Sequence, residues 1–248
     1  MLGMGCEALW GGMGRPLECP LSRASPIVRG QSMLALPFDP GPSRPLRLLC
    51  LGAHCDDIEI GAGGTLLRLL AEREVEVRWH VCTSEPGRRA EAEASAATFL
   101  KGARRFEVSV GDAQPSFLPA QWEAQKRAFF ELRQSFDADV VLTHRREDRH
   151  QDHRVVADLT WQTWRDHPVL AYEIPKYEGD LGQPNLYVPI SQEQADQKVA
   201  CILAAFPSQA SHPWFDADTF HSMLRLRGVE CNAQSGRAEA FHADKLVL

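Results

Sequence analysis

Two stretches of the chain gather the side chains that hold metals and move protons. In "LGAHCDDIEIGAGG", Leu51 to Gly64, a histidine, a cysteine, two adjacent aspartates and a glutamate fall between His54 and Glu59, and three glycines follow. In "HRREDRHQDH", His144 to His153, two histidines stand three apart at His150 and His153. On a helix that spacing puts both imidazoles on one face, about 5–6 Å apart at Cβ. Two imidazoles and one carboxylate are the ligand set of a catalytic zinc site that keeps one position open for water. Water on such an ion titrates near pH 7, and a free carboxylate beside it can take the proton. Each stretch alone also has an ordinary reading. H-x-x-H is more often two solvated histidines, and Asp56 with Asp57 can be a helix N-cap carrying dipole-favoured charge.

The order of the surrounding elements decides whether the two stretches can meet. "RLLCLGAH" (47–54) is a continuous apolar run, as in a strand buried on both faces. Helix is expected over 58–73, strand over 75–83, helix over 87–100, strand over 105–110 and helix over 121–136. A further strand over 137–144 leads into a helix beginning near His150, with Val155, Val156, Leu159, Trp161 and Trp164 on its apolar face. Late strands are expected at 169–175 and 186–190, and Ser191 should cap a helix running to Phe206. Alternating strands and helices imply class α/β: a three-layer α/β/α sandwich with a mostly parallel, Rossmann-like sheet. Ligands in such sheets gather outside the carboxyl ends of the strands, and His54 and His144 both fall at expected strand ends.

Bulk properties narrow the function. With 44% hydrophobic and 24% charged residues, the 248-residue chain has the balance of an ordinary globular protein. Its net charge of −6 argues against nucleic acid as a partner, although a local arginine pair could still meet an anionic small molecule. No apolar run is long enough for a transmembrane segment. Residues 1–45 are rich in Gly and Pro and read as a partly ordered arm without a secretion signal, entering a single domain over 46–248. Seven cysteines, an odd number with no C-x-x-C pair, point to a reducing cytoplasm rather than a disulfide framework. The sequence carries no signal for oligomeric state.

Taken together, "AHCDDIE" with "GAGGTL", then "DRHQDH", resemble in order the AHPDDxE…G-GTL and D-x-H-x-D-H signatures of the PIG-L/LmbE-type deacetylases. The resemblance covers about residues 47–170, and "AEAF" at 238–241 is similar to the family's closing segment. It implies a zinc-dependent hydrolase, one Zn2+ per chain, that removes the N-acetyl group from an N-acetylglucosamine-type sugar in a small-molecule conjugate. By that resemblance His54, Asp57 and His153 are the metal ligands and Asp56 is the general base. His150 stabilises the oxyanion or protonates the leaving amine, and Asp148 orients the His150 imidazole and keeps it charged. The same zinc site could cleave another amide or an ester, or the chain could be an inactive sugar-binding protein of this fold.

One position departs from the signature: Cys55 stands where the family has proline. Losing proline loosens the turn, and the thiol either points into the core or competes as a soft ligand. Glu59 is expected to hold the loop or a backbone amide, and His144 to support the site from its strand end. Arg88, Arg227 and Glu239 are substrate-binding candidates, each with an alternative as a solvated or fold-stabilising residue. His80, Trp161 and Trp164 read as core. "GAGG" is not the G-x-G-x-x-G fingerprint, so no nicotinamide site is expected. Substrate selectivity should come from loops such as 112–120 and 176–185.

Overall fold

In the computed structural model, which describes residues 44–246, the apolar run becomes β1 (Leu46–Gly52). Its unbroken hydrophobicity follows from burial on both faces. Leu48 and Cys50 enter one core, and Leu49 and Leu51 enter the other. The chain continues through α1 (Asp57–Glu72), β2 (Val75–Thr83), α2 (Arg88–Phe99), β3 (Arg105–Ala113), α3 (Trp122–Ser135) and β4 (Val140–His144). Then come α4 (Gln151–Thr163), β5 (Val169–Tyr172), β6 (Leu186–Pro189), α5 (Gln192–Ala205), α6 (Ala217–Glu230) and β7 (Ala238–Ala243).

The sheet order is β3-β2-β1-β4-β5-β7-β6. The first five strands run parallel, and β7 runs antiparallel to both β5 and β6. Helices α1, α2, α5 and α6 cover one face and α3 and α4 the other, which makes the three-layer α/β sandwich. The Gly/Pro-rich arm falls outside the described residues, apart from Arg44 and Pro45. Among the described residues no helix is long and apolar enough to cross a membrane.

Two features of this topology place the site. From β1 the chain crosses to β2 on one side, while β4 lies on the other, so a crevice opens between the carboxyl ends of β1 and β4. Helix α1, which starts at that crevice, is then fixed from behind. A Cβ on Gly61 would lie 2.3 Å from the Tyr172 ring, so only glycine lets α1 approach β5 this closely. Further along, Glu239 of β7 accepts hydrogen bonds from the amides of Gly64 and Thr65 at 2.7 and 2.6 Å. Lys198 of α5 donates to Glu239 at 2.5 Å and to the Ile60 carbonyl at 2.6 Å. This buried pair grips one turn of α1 by both its carbonyl and its amides. Ser191 caps α5 as expected, in a reciprocal box with Gln194.

Candidate active site

The first motif forms the tight turn between β1 and α1. The His54 amide donates to Asp57 Oδ2 at 2.6 Å, which folds the turn back on the first residue of the helix. Asp56 occupies the N-cap position but does not cap; its Oδ2 instead accepts from Arg88 Nη2 at 3.0 Å. The second motif follows β4. His144 ends that strand fully buried, with Nε2 3.1 Å from Asp57 Oδ2, and its ring stacks on His153 at 3.9 Å between centroids. His150 is the N-cap of α4, its Nδ1 accepting from the Asp152 amide, and His153 lies in the first helical turn.

Across the crevice, His54 Nδ1 and His153 Nε2 face each other at 3.1 Å, although the residues are 99 apart in the chain. The outer nitrogen of each ring is held by a carboxylate: His54 Nε2 by Asp152 at 3.1 Å and His153 Nδ1 by Asp148 at 2.9 Å. With those outer nitrogens engaged, the two inner nitrogens are the ones turned toward each other. Asp57 completes a triangle, with Oδ2 3.4 Å from His54 Nδ1 and Oδ1 3.5 Å from His153 Nε2. Ligands at about 2.0–2.1 Å from a tetrahedral zinc stand about 3.3–3.4 Å from one another. Imidazoles with a carboxylate, and carboxylate partners behind the rings, suit a divalent metal; the ligand atoms that converge are those of His54, His150 and His153, and those of Asp57, His144 and His153. His150 approaches the same point, its ring 4.8 Å from His54 and 4.6 Å from His153, and its neutral form keeps the proton on Nε2.

The electrostatics favour positive charge at this point. Burial opposes charge on His54, but Asp57, Asp152 and Asp56 outweigh it and raise the imidazole to about 10. Burial, with His144 beside it, pushes His153 down to about 3. Burial works against ionisation of Asp57 too, yet His153, His144 and His54 hold its carboxyl well below the usual range. Asp56 is raised by burial, against the pull of Arg88.

Several expectations change here. Asp148 does not orient the His150 imidazole: its Oδ1 accepts from the His150 backbone amide and its Oδ2 holds His153. The reason is local: His150 has extended backbone at φ −71° and ψ 125°, so its ring leaves the helical face that Asp148 meets. Burial and the nearby His54 lower the His150 imidazole, against the opposing pull of Asp152, Asp57 and Asp148. Replacing Asp148 with Asn should weaken zinc binding about 10–100-fold in a chelator competition while circular dichroism stays unchanged. Unaltered affinity would mean that His153 is oriented by another group. Asp152 carries no role in the sequence reading, although "DRHQDH" contains it; its partner is His54, whose distance in the chain hides the pairing.

The Glu59 carboxyl, expected to hold the loop or an amide, is fully buried, and burial raises it to about 8 against the opposing pull of Ser95 and its own backbone amide. Cys55 points into the core toward the Thr83 carbonyl at 3.6 Å, and burial pushes its thiol up to about 12. Arg227 and Glu239 are engaged elsewhere. Arg227 donates to Glu173 through Nε and Nη2, both at 2.8 Å, and also to Glu230, while Glu239 clamps α1. Arg88 does reach the site, through Asp56. His80 and Trp164 are buried, and Trp161 packs at the edge of that core.

The PIG-L family model, described as GlcNAc-PI de-N-acetylase, matches residues 49–164, which include every histidine and aspartate of the cluster. No curated relative matches the sequence. Among solved structures, the conserved protein TT1542 from Thermus thermophilus is 24% identical, with 82% of this chain and 96% of that one covered at a TM-score of 0.61. N,N'-diacetylchitobiose deacetylase from Pyrococcus horikoshii is 20% identical, covering 79% and 83%, at 0.59. GalB, the 4-carboxy-2-hydroxymuconate hydratase of Pseudomonas putida KT2440, is 18% identical, covering 82% and 98%, at 0.55. These identities establish a shared fold. With the family match and both motifs gathered at one crevice, residues 49–164 are similar to the PIG-L family.

Proposed function

We propose that this protein is a metal-dependent hydrolase that removes the N-acetyl group from an N-acetylglucosamine-type amino sugar carried in a conjugate. The observation that carries it is the convergence of the inner nitrogens of His54 and His153 beside Asp57, each ring backed by its own carboxylate. A zinc ion held by these three residues, one per chain, supplies Lewis acidity to the amide carbonyl and to water when bound. Asp56, buried beside them, takes the proton of the attacking water, and Arg88 fixes the carboxylate for that task. His150 presents Nε2–H to the carbonyl oxygen as charge develops there. The new bond joins water oxygen to carbonyl carbon, the proton taken by Asp56 passes to the leaving nitrogen as the C–N bond breaks, and acetate and a free amine leave. Asp148 and Asp152 act behind the ligands, holding the two rings.

The family's described activity and the diacetylchitobiose deacetylase support the choice of an N-acetyl sugar. The hydratase of the same fold is the reason the bond must be tested rather than assumed from the fold. The five cysteines among the described residues are free thiols, which accords with a cytoplasmic setting. Purified protein should carry close to one zinc and release acetate from a panel of N-acetylglucosaminides faster than it cleaves other acyl amides or esters. Faster cleavage of the other acyl groups would overturn the substrate, and protein that binds no zinc would overturn the mechanism.

A further inference from the structure

Two loops flank the crevice, and each turns an aromatic side chain to solvent beside an anchor to the site. In the loop between β3 and α3, the amides of Ser116 and Leu118 donate to Asp152 at 2.5 and 3.1 Å, the carboxylate that holds His54. Ser116 adopts φ 70°, a left-handed conformation uncommon in a residue with a side chain. Between the two anchored amides stands Phe117, 53% exposed. In the loop after β5, Lys176 donates to Asp148 at 2.9 Å and to Asp180 at 2.7 Å, and the Arg149 amide binds the other Asp180 oxygen at 2.7 Å. Asp148 holds His153, and Tyr177 is 72% exposed.

A single exposed aromatic ring needs no explanation. Here two exposed rings stand on independent loops, each one residue from a group bonded to a carboxylate that holds His54 or His153. Both loops are tethered to those carboxylates beside the rings. Two residues before Tyr177, Pro175 lines an open groove with Asp218, Thr219, Ser222, Met223 and Leu226 of α6. Two solvated rings are unfavourable in the empty protein, and an apolar ligand that covers them would offset that exposure.

We infer that Phe117 and Tyr177 are specificity-determining residues that grip an apolar aglycone, so that the substrate is an N-acetylated amino sugar joined to an acyl or aryl group rather than the free sugar. This rests on the deacetylase reading, since the sugar end must sit at the histidines. Aromatic faces suit both alkyl chains and aryl rings. Neither residue takes part in the bond-breaking step.

The test compares acetate release by the zinc-loaded full chain from octyl N-acetylglucosaminide, 4-nitrophenyl N-acetylglucosaminide and N-acetylglucosamine. The kcat/KM ratio of either glycoside to the free sugar should exceed about 10, and Phe117→Ala or Tyr177→Ala should each cut that ratio about 5- to 10-fold, mainly through KM. Tyr177→Phe and Phe117→Tyr should restore it. Phe106→Ala, an exposed aromatic on β3, serves as the control and should leave the ratio unchanged. Equal ratios in parent and Ala variants would overturn the inference while leaving the deacetylase reading intact. If no substrate releases acetate, that reading fails instead, and calorimetric binding of octyl N-acetylglucosaminide decides the inference: weaker binding by the Ala variants sustains it, and equal binding overturns it.

Discussion

Asp56→Asn should bind zinc as the parent does and lose about 10²–10⁴-fold in kcat, the range of a positioned general base. The separation of the two effects follows from the geometry. Asp57, next in the chain, points at both ligand histidines, whereas the only side-chain hydrogen bond to the Asp56 carboxylate among the described residues comes from Arg88. Asparagine preserves shape and can still accept from Arg88 through its amide oxygen, so the turn should survive. Metal content by atomic emission and acetate release by a coupled assay are the two measurements. Full activity in Asp56→Asn would remove Asp56 from the chemistry, and lost metal would make it a ligand. Asp57→Asn offers the contrast, because it should lose both.

Lys198→Met should lower stability by about 3 kcal/mol, because it strands the Glu239 carboxylate in the interior without its cation. For a chain of this size that corresponds to a melting temperature lower by roughly 6–12 °C. Glu239→Gln should also destabilise, since its amide nitrogen cannot serve Gly64, Thr65 and Lys198 as the carboxylate does. The comparison separates two roles for Glu239. A clamp predicts a thermal shift with KM little changed in the surviving folded protein. A substrate contact predicts an unchanged melting curve and a raised KM.

Much of the scaffold was legible because its signals are local. The run at Leu46–Gly52 reads as a doubly buried strand, and the helix-favouring stretches and the Ser191 cap need no distant partner. The meeting of the two motifs was legible through topology, since strand ends on either side of a crossover reversal must converge. Pairing inside the cluster was not. Which carboxylate meets which imidazole depends on whether His150 is the last extended residue or the first helical one, and a shift of one residue turns its ring away from Asp148. Nothing in the pattern assigns α6 either, because Leu226 and Val229 face solvent and blur the helical periodicity around the buried Phe220 and Leu224. The insertion of β7 between β5 and β6 is a nonlocal pairing with no local cue. For the same reason Glu239 looked like a pocket residue when its partner, Lys198, lies 41 positions away.

The place of β7 in the chain also orders events during synthesis. A ribosome delivers both chemical motifs well before it delivers residues 238–243, yet the Glu239 carboxylate that holds the Gly64 and Thr65 amides of α1 arrives only when that strand slides in between two others. The nascent protein would therefore own all its reactive groups while still lacking the brace that sets them. A polypeptide released just short of Ala238 should fail as an enzyme with every one of those groups intact.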